Sequence, residues 1–333
     1  MRKISIIILT SVFLLISKKG FSQDPQFSQF YASPLYLGAA FTGATPGSRY
    51  CLNFRNQWPS LPKAYITTAF SYDRNISKFN SGVGGFILRD QAGEASLARY
   101  IGGLLYSYNI RVNRRLQVRA GASFLYQYLT YDRSSMVFGN QIDPVTGVID
   151  QGIDPKVNLY NQGFFDFSTS AMAYTKRFWV GITIDHLPTP NESITQGKSV
   201  IPLKYTGFGG AKLKINRYVG RSHKQYAIVA FHYKSQEKYD QLDLGAYIDR
   251  NPLLLGFWYR GLPGFKQNFK HINHDAVAFM VGYKVAEMQF IYNYDFTVSP
   301  LMNSSGGAHE ISIIYLIKKK KKERKMKAIP CPI

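Results

Sequence analysis

The chain has 333 residues but only two cysteines, Cys51 and Cys331, and three tryptophans. Two cysteines this far apart form no CxxC-type metal site. An oxidising compartment would permit a disulfide between them, and free thiols are the other reading. Acidic residues are few: 20 Asp and Glu stand against 41 Lys and Arg, for a formal charge of +21. There is no GxSxG, HExxH or P-loop spacing, so nothing points to a motif-bearing hydrolase, metalloprotease or nucleotide binder. Past the first residues there is no run of about 18 uncharged apolar residues, which excludes a helical membrane protein. The sparse candidate ligands do not assemble either. His271 and His274, in His-Ile-Asn-His, have no carboxylate or cysteine close in sequence and read as a polar turn. Asp143, Asp150 and Asp154 are too widely spaced for a calcium loop. Neither metal nor cofactor is expected, and no enzymatic activity.

The N-terminus sets the compartment. Arg2 and Lys3 precede an apolar run from Ile4 to Ile16, Lys18 and Lys19 close it, and Gly20 and Ser22 suit a cleavage site before Gln23. That is the layout of a secretory signal peptide over residues 1–22. An exported basic chain rarely meets nucleic acid; anionic lipid headgroups or an acidic protein are the better partners. Much of the base sits at the other end, where Lys318, Lys319, Lys320, Lys321, Lys322, Arg324, Lys325 and Lys327 surround one acid, Glu323.

The chain is rich in Tyr (24), Phe (23) and Gly (28), residues suited to strands and tight turns. Alternation of period two recurs along it. Leu116, Val118, Ala120, Ala122, Phe124, Tyr126 and Tyr128 take one face against Gln117, Arg119, Gly121, Ser123 and Gln127, with Leu125 the exception. Phe178, Val180, Ile182 and Ile184 oppose Trp179, Gly181, Thr183 and Asp185. Leu242, Leu244, Ala246 and Ile248 oppose Asp243, Gly245, Tyr247 and Asp249, and Phe290, Tyr292, Tyr294 and Phe296 oppose Asn293 and Asp295. About 14 such segments centre on 49–57, 65–73, 81–89, 97–109, 115–129, 164–176, 177–187, 203–214, 224–234, 238–249, 252–261, 274–285, 287–297 and 308–317. They are long enough to cross a bilayer when tilted. Short turns are expected at Lys176-Arg177, around Lys234–Lys238 and at Ala286-Glu287, and long loops at 130–163 and 188–202. An apolar face of Leu, Val, Phe and Tyr against a face of Arg, Gln, Asn and Asp fits lipid outside and water inside. The expectation is an all-β, transmembrane outer-membrane barrel of about 14 antiparallel strands, which closes to remove the edges lipid would not tolerate.

Four regions follow: the signal peptide at 1–22, an irregular segment at 23–47, the barrel at 48–317 and a basic tail at 318–333. The segment's aromatics would be costly to leave in water, so it is expected as a plug or a periplasmic contact. The tail is either a solvated extension or a dock for an acidic partner or inner-leaflet headgroups. With an even strand number both termini are expected in the periplasm.

Gln23-Asp24-Pro25-Gln26-Phe27-Ser28-Gln29-Phe30-Tyr31, then Pro34-Leu35-Tyr36-Leu37 and Ala40-Phe41-Thr42-Gly43, resembles the mature start of PorP/SprF-family membrane proteins. Arg55-Asn56-Gln57-Trp58-Pro59 and the basic end running into Pro330-Cys331-Pro332 fit the same family. Ser33-Pro34 and Gly38-Ala39 depart from its usual Asn-Pro steps. The resemblance implies an accessory outer-membrane component of the type IX secretion and gliding machinery. Such a component works with the translocon's periplasmic ring subunits and helps export or surface-anchor a specific secreted partner such as a large adhesin. Candidate partner-binding residues are Asp24, Pro25, Gln26, Phe27, Phe30 and Tyr31, together with Lys318 to Lys322, Arg324, Lys325 and Lys327. The alternative function is a plugged channel for small hydrophobic solutes.

Overall fold

The computed structural model describes residues 24–28, 30–61, 64–93, 97–132, 142, 146, 160–194, 197–215, 225–237, 239–262, 273–298 and 306–318. Fourteen antiparallel strands close into one barrel, each paired with its neighbours in the chain and β1 with β14. They are β1 (Gly47–Gln57), β2 (Tyr65–Ile76), β3 (Ser81–Ala92), β4 (Leu97–Arg111), β5 (Gln117–Thr130), β6 (Gln162–Tyr174) and β7 (Phe178–Asp185). The ring continues with β8 (Lys204–Lys214), β9 (Gln225–Gln236), β10 (Tyr239–Arg250), β11 (Leu253–Leu262), β12 (Asn273–Val285), β13 (Met288–Thr297) and β14 (Ala308–Lys318). Every expected segment coincides with one of them. No described helix is long and apolar enough to cross a membrane; the strands do so.

Pleating sorts the side chains. Leu104 of β4 is 72% exposed and its neighbour Leu105 only 4%, because successive residues point to opposite faces. On β5, Ala120, Ala122, Phe124, Tyr126 and Tyr128 face outward while Gln117, Arg119, Gly121, Ser123 and Gln127 are buried inside. The outer surface carries Ile87, Phe165, Val180, Phe257 and Phe279, the apolar band of a lipid-facing wall.

The two ends differ. Brief connections at 77–80, 112–116, 175–177, 251–252 and 286–287 share one end, hereafter the short-turn end. Connections of ten or more residues at 131–161, 186–203, 263–272 and 298–307 share the other, the long-loop end. One expected short turn lies among the long loops. The tight connection after Gln236, with Glu237 at φ 52°, joins β9 to β10 at the long-loop end, and the longer 215–224 connection lies at the short-turn end.

Candidate functional site: a luminal plug and the mouth above it

The lumen is filled by the chain's own N-terminal segment. Residues 24–44 run inside the ring of strands from the long-loop end to Gly47, which opens β1 at the short-turn end. The segment bends through a 3₁₀ turn at Phe30–Ala32, one α-helical turn, α1 (Pro34–Leu37), and a second 3₁₀ turn at Ala39–Phe41. Ser33-Pro34 starts α1 with proline in its first turn, where a missing N–H costs nothing.

Irregular backbone at membrane depth must find its hydrogen bonds in the surrounding protein, and inward side chains supply them. Asn53 donates to the Ala32 carbonyl at 3.3 Å, Thr183 to Leu37 at 2.9 Å and Asn75 to Gly43 at 2.8 Å. The Ala40 N–H donates to Ser170 Oγ at 2.7 Å and the Gly43 N–H to Asp73 at 2.7 Å. Arg119 donates its Nε–H to the Ala40 carbonyl at 3.0 Å and an Nη2–H to the Thr42 carbonyl, which Ser107 also meets at 2.7 Å. Arg49 spans Asp73 at 2.8 Å and the Phe41 carbonyl at 3.2 Å. Arg49 and Arg119 are both 0% exposed. The water-lined lumen expected from the polar inner face is therefore corrected: these polar groups bond a polypeptide.

Apolar inward residues seat the plug. Phe27, Leu35 and Ala39 pack with Phe86, Leu88, Ile101, Leu105 and Leu125 on the β3–β5 side. Tyr31, Ala40 and Phe41 pack with Met172, Trp179, Phe208, Tyr247 and Trp258 on the opposite wall. Tyr31 stacks on Trp258 at 6.4 Å between ring centres, and Phe41 meets Phe208 at 5.1 Å.

Above the plug, Arg55 bridges Asp295 at 3.0 Å and Glu310 at 3.1 Å, and Ser28 meets the same pair through its hydroxyl and backbone N–H. Arg260 joins Asp295 and Asp243, each at 3.3 Å. At the tip, Asp24 is held by Lys204 at 2.6 Å and by His186 Nε2 at 3.0 Å, while His186 Nδ1 meets Asp166 at 2.7 Å. Burial alone would raise the Asp24 carboxyl, but Lys204, His186 and Arg99 outweigh it and hold the group well below the usual carboxylate range. Burial disfavours the His186 imidazolium, yet Asp24 and Asp166 raise it to about 9, so it is charged at neutral pH. A cavity of about 660 Å³ opens above this layer, lined by Asp24, Gln26, Trp58, Arg99, Lys234 and Arg260 among others.

The structure places some of the candidate residues and leaves others undescribed. Phe27 and Tyr31 are 5% and 0% exposed and pack against the chain's own walls inside the barrel. Asp24, Pro25 and Gln26 do lie at the cavity, with Gln26 donating to Gln241 at 3.0 Å. The side chains of Phe30 and Lys318, and all of Lys319, Lys320, Lys321, Lys322, Arg324, Lys325 and Lys327, lie outside what is described. So do residues 1–23, most of the 130–163 loop, His271, the His274 side chain and Cys331. Cys51 is buried beside the plug and has no disulfide partner among the described residues. The described chain begins at Asp24 at the long-loop end and finishes at Lys318 at the short-turn end, so its two ends do not share a side, because the plug crosses the lumen. Sequence reasoning missed Arg49, Asp73, Arg119 and His186; an arginine at an inward strand position was the available signal.

Among solved structures, the chain is similar to the P. putida toluene transporter TodX, at 9% identity over 85% of this chain and 93% of that one, with a TM-score of 0.46. It is also similar to BamA from Haemophilus ducreyi, at 9% identity over 81% and 70%, with a TM-score of 0.39. These are likenesses of barrel fold. No curated protein matches the chain. Residues 19–315 match the family described as type IX secretion system membrane protein PorP/SprF. Covering most of the polypeptide, that match shows that the chain belongs to the PorP/SprF family of type IX secretion system membrane proteins.

Proposed function

We propose that this outer-membrane component serves one secreted partner, helping to export it or to hold it at the cell surface, and that it does so as a docking barrel without catalysis. The observation that carries this reading is the filled lumen. A barrel whose interior is occupied by a hydrogen-bonded segment of its own chain offers faces and a mouth, and no route through, to a partner. The mouth cavity, ringed by Trp58, Arg99 and Gln26, is the surface such a partner would meet from outside, since longer loops face outward in bacterial barrels. The short-turn end and the tail beginning at Lys318 would then face the periplasm and the translocon's ring subunits. A large adhesin is the kind of cargo the family suggests. Deleting the chain is expected to abolish surface display of one cargo while general type IX export continues; undisturbed display of every cargo would contradict the proposal. The alternative, a channel for small hydrophobic solutes, is opposed by the plug that floors the cavity.

A further inference from the structure

The connections at the two ends of the barrel carry very different charge. Among the described residues, the long-loop connections hold one base, Lys198, against three acids, Asp132, Glu192 and Glu237. Among the described residues, the short-turn connections hold five bases against one acid, Glu287. The excess is spread over adjacent turns: Lys78 after β2, Arg114 and Arg115 after β4, and Lys176 and Arg177 after β6, all exposed.

Two further cations show which way this charge looks. On β2, Thr68, Phe70, Tyr72 and Arg74 alternate onto the lipid-facing side, and Arg74 is exposed at the foot of that column. On β10, Leu244, Ala246, Ile248 and Arg250 do the same. Just above Arg74, Tyr50 packs on Tyr72 at 4.8 Å and Tyr315 at 6.2 Å between ring centres, a piece of interfacial aromatic girdle. An arginine below such a column lays its apolar stem along the hydrocarbon edge and delivers its guanidinium to headgroup depth.

From this arrangement we propose that the short-turn rim is a binding surface for anionic phospholipid headgroups. A soluble acidic protein docked beneath the barrel would meet the turn tips and leave Arg74 and Arg250 unused, because both point sideways into the bilayer. Phosphate oxygens at the boundary satisfy both sets. The inference rests on the chain spanning the membrane; only the choice of the periplasmic leaflet rests on the orientation given above.

The test is native mass spectrometry of the purified full chain from nanodiscs holding equal phosphatidylglycerol and phosphatidylcholine. Wild type is expected to retain phosphatidylglycerol preferentially, at about fivefold per engaged cation. The rim variant Arg74→Gln/Lys176→Gln/Arg177→Gln/Arg250→Gln is expected to lose at least about tenfold of that preference. A control at the opposite end, Arg89→Gln/Lys198→Gln, is expected to keep it; a heat-dependent gel shift confirms that both variants are folded barrels. Equal retention of the two lipids by wild type, an undiminished preference in the rim variant, or equal loss in rim and control variants would each overturn the proposal.

Discussion

Gly121 of β5 lies directly against the backbone of Ala39 and Ala40, so that a Cβ at this position would overlap the Ala39 carbonyl carbon and the Ala40 nitrogen. Gly82 of β3 stands in the same relation to Thr42 and Gly43. Wall and plug meet backbone to backbone, which only glycine allows. A side chain here must move the plug or the strand.

Gly121→Val is therefore expected to unseat the plug while the lipid-facing surface, and with it membrane insertion, persists. Limited proteolysis should then cut within residues 24–43 of a barrel that still shows its heat-dependent gel shift. Wild-type protease resistance in Gly121→Val would show that the contact is not tight.

Removing Arg55 takes a salt-bridge partner from two buried carboxylates. Asp295 and Glu310 are both buried against it, and breaking a buried ion pair from one side costs about 3–5 kcal/mol. Arg55→Ala is expected to lose stability of that size in urea unfolding from lipid vesicles. A loss below about 1 kcal/mol would mean that other groups neutralise the pair.

The tip of the plug is tied by a histidine whose charged form is favoured by the carboxylates it folds against. With His186 raised from 6.5 to about 9, its contribution is complete below pH 6.5 and is lost as pH rises through 9. The stability gap between wild type and His186→Gln is expected to be of the order of 3 kcal/mol at pH 6 and to close above pH 9. Asp24 works in the other direction: its lowered carboxyl stabilises the folded state above the ordinary carboxylate range and loses that contribution as the medium becomes strongly acidic. A gap between wild type and His186→Gln that stays constant with pH would contradict the charged His186 bridge.

The wall of this molecule was legible in its sequence and its contents were not. Alternations such as Phe124, Tyr126 and Tyr128 against Ser123 and Gln127 mark a strand with two environments, and each such segment became a strand. Leu125, the exception in that run, proves informative: it faces inward and packs with Phe27 and Ala39. Trp179 and Tyr247 are likewise large apolar residues on an otherwise polar face, and both line the plug. Inward hydrophobics are thus the trace a plug leaves on its barrel. The plug itself has two prolines and no period, so its place could not be read from the segment alone. Whether Arg49 and Arg119 met water or peptide carbonyls depended on three-dimensional closure, which no local pattern encodes.

Cys51 reports on the same packing. It is 1% exposed among plug-facing residues. In a Cys331→Ser background it is expected to resist maleimide in the folded protein and to react once residues 24–43 are deleted. Rapid labelling of the intact protein would place the thiol in open water.

Planar-bilayer conductance of the purified protein tests the filled lumen most directly. Wild type is expected to show no steady ion conductance, and the barrel lacking residues 24–43 is expected to conduct through the vacated interior. Steady, porin-like conductance by the wild-type protein would contradict the account.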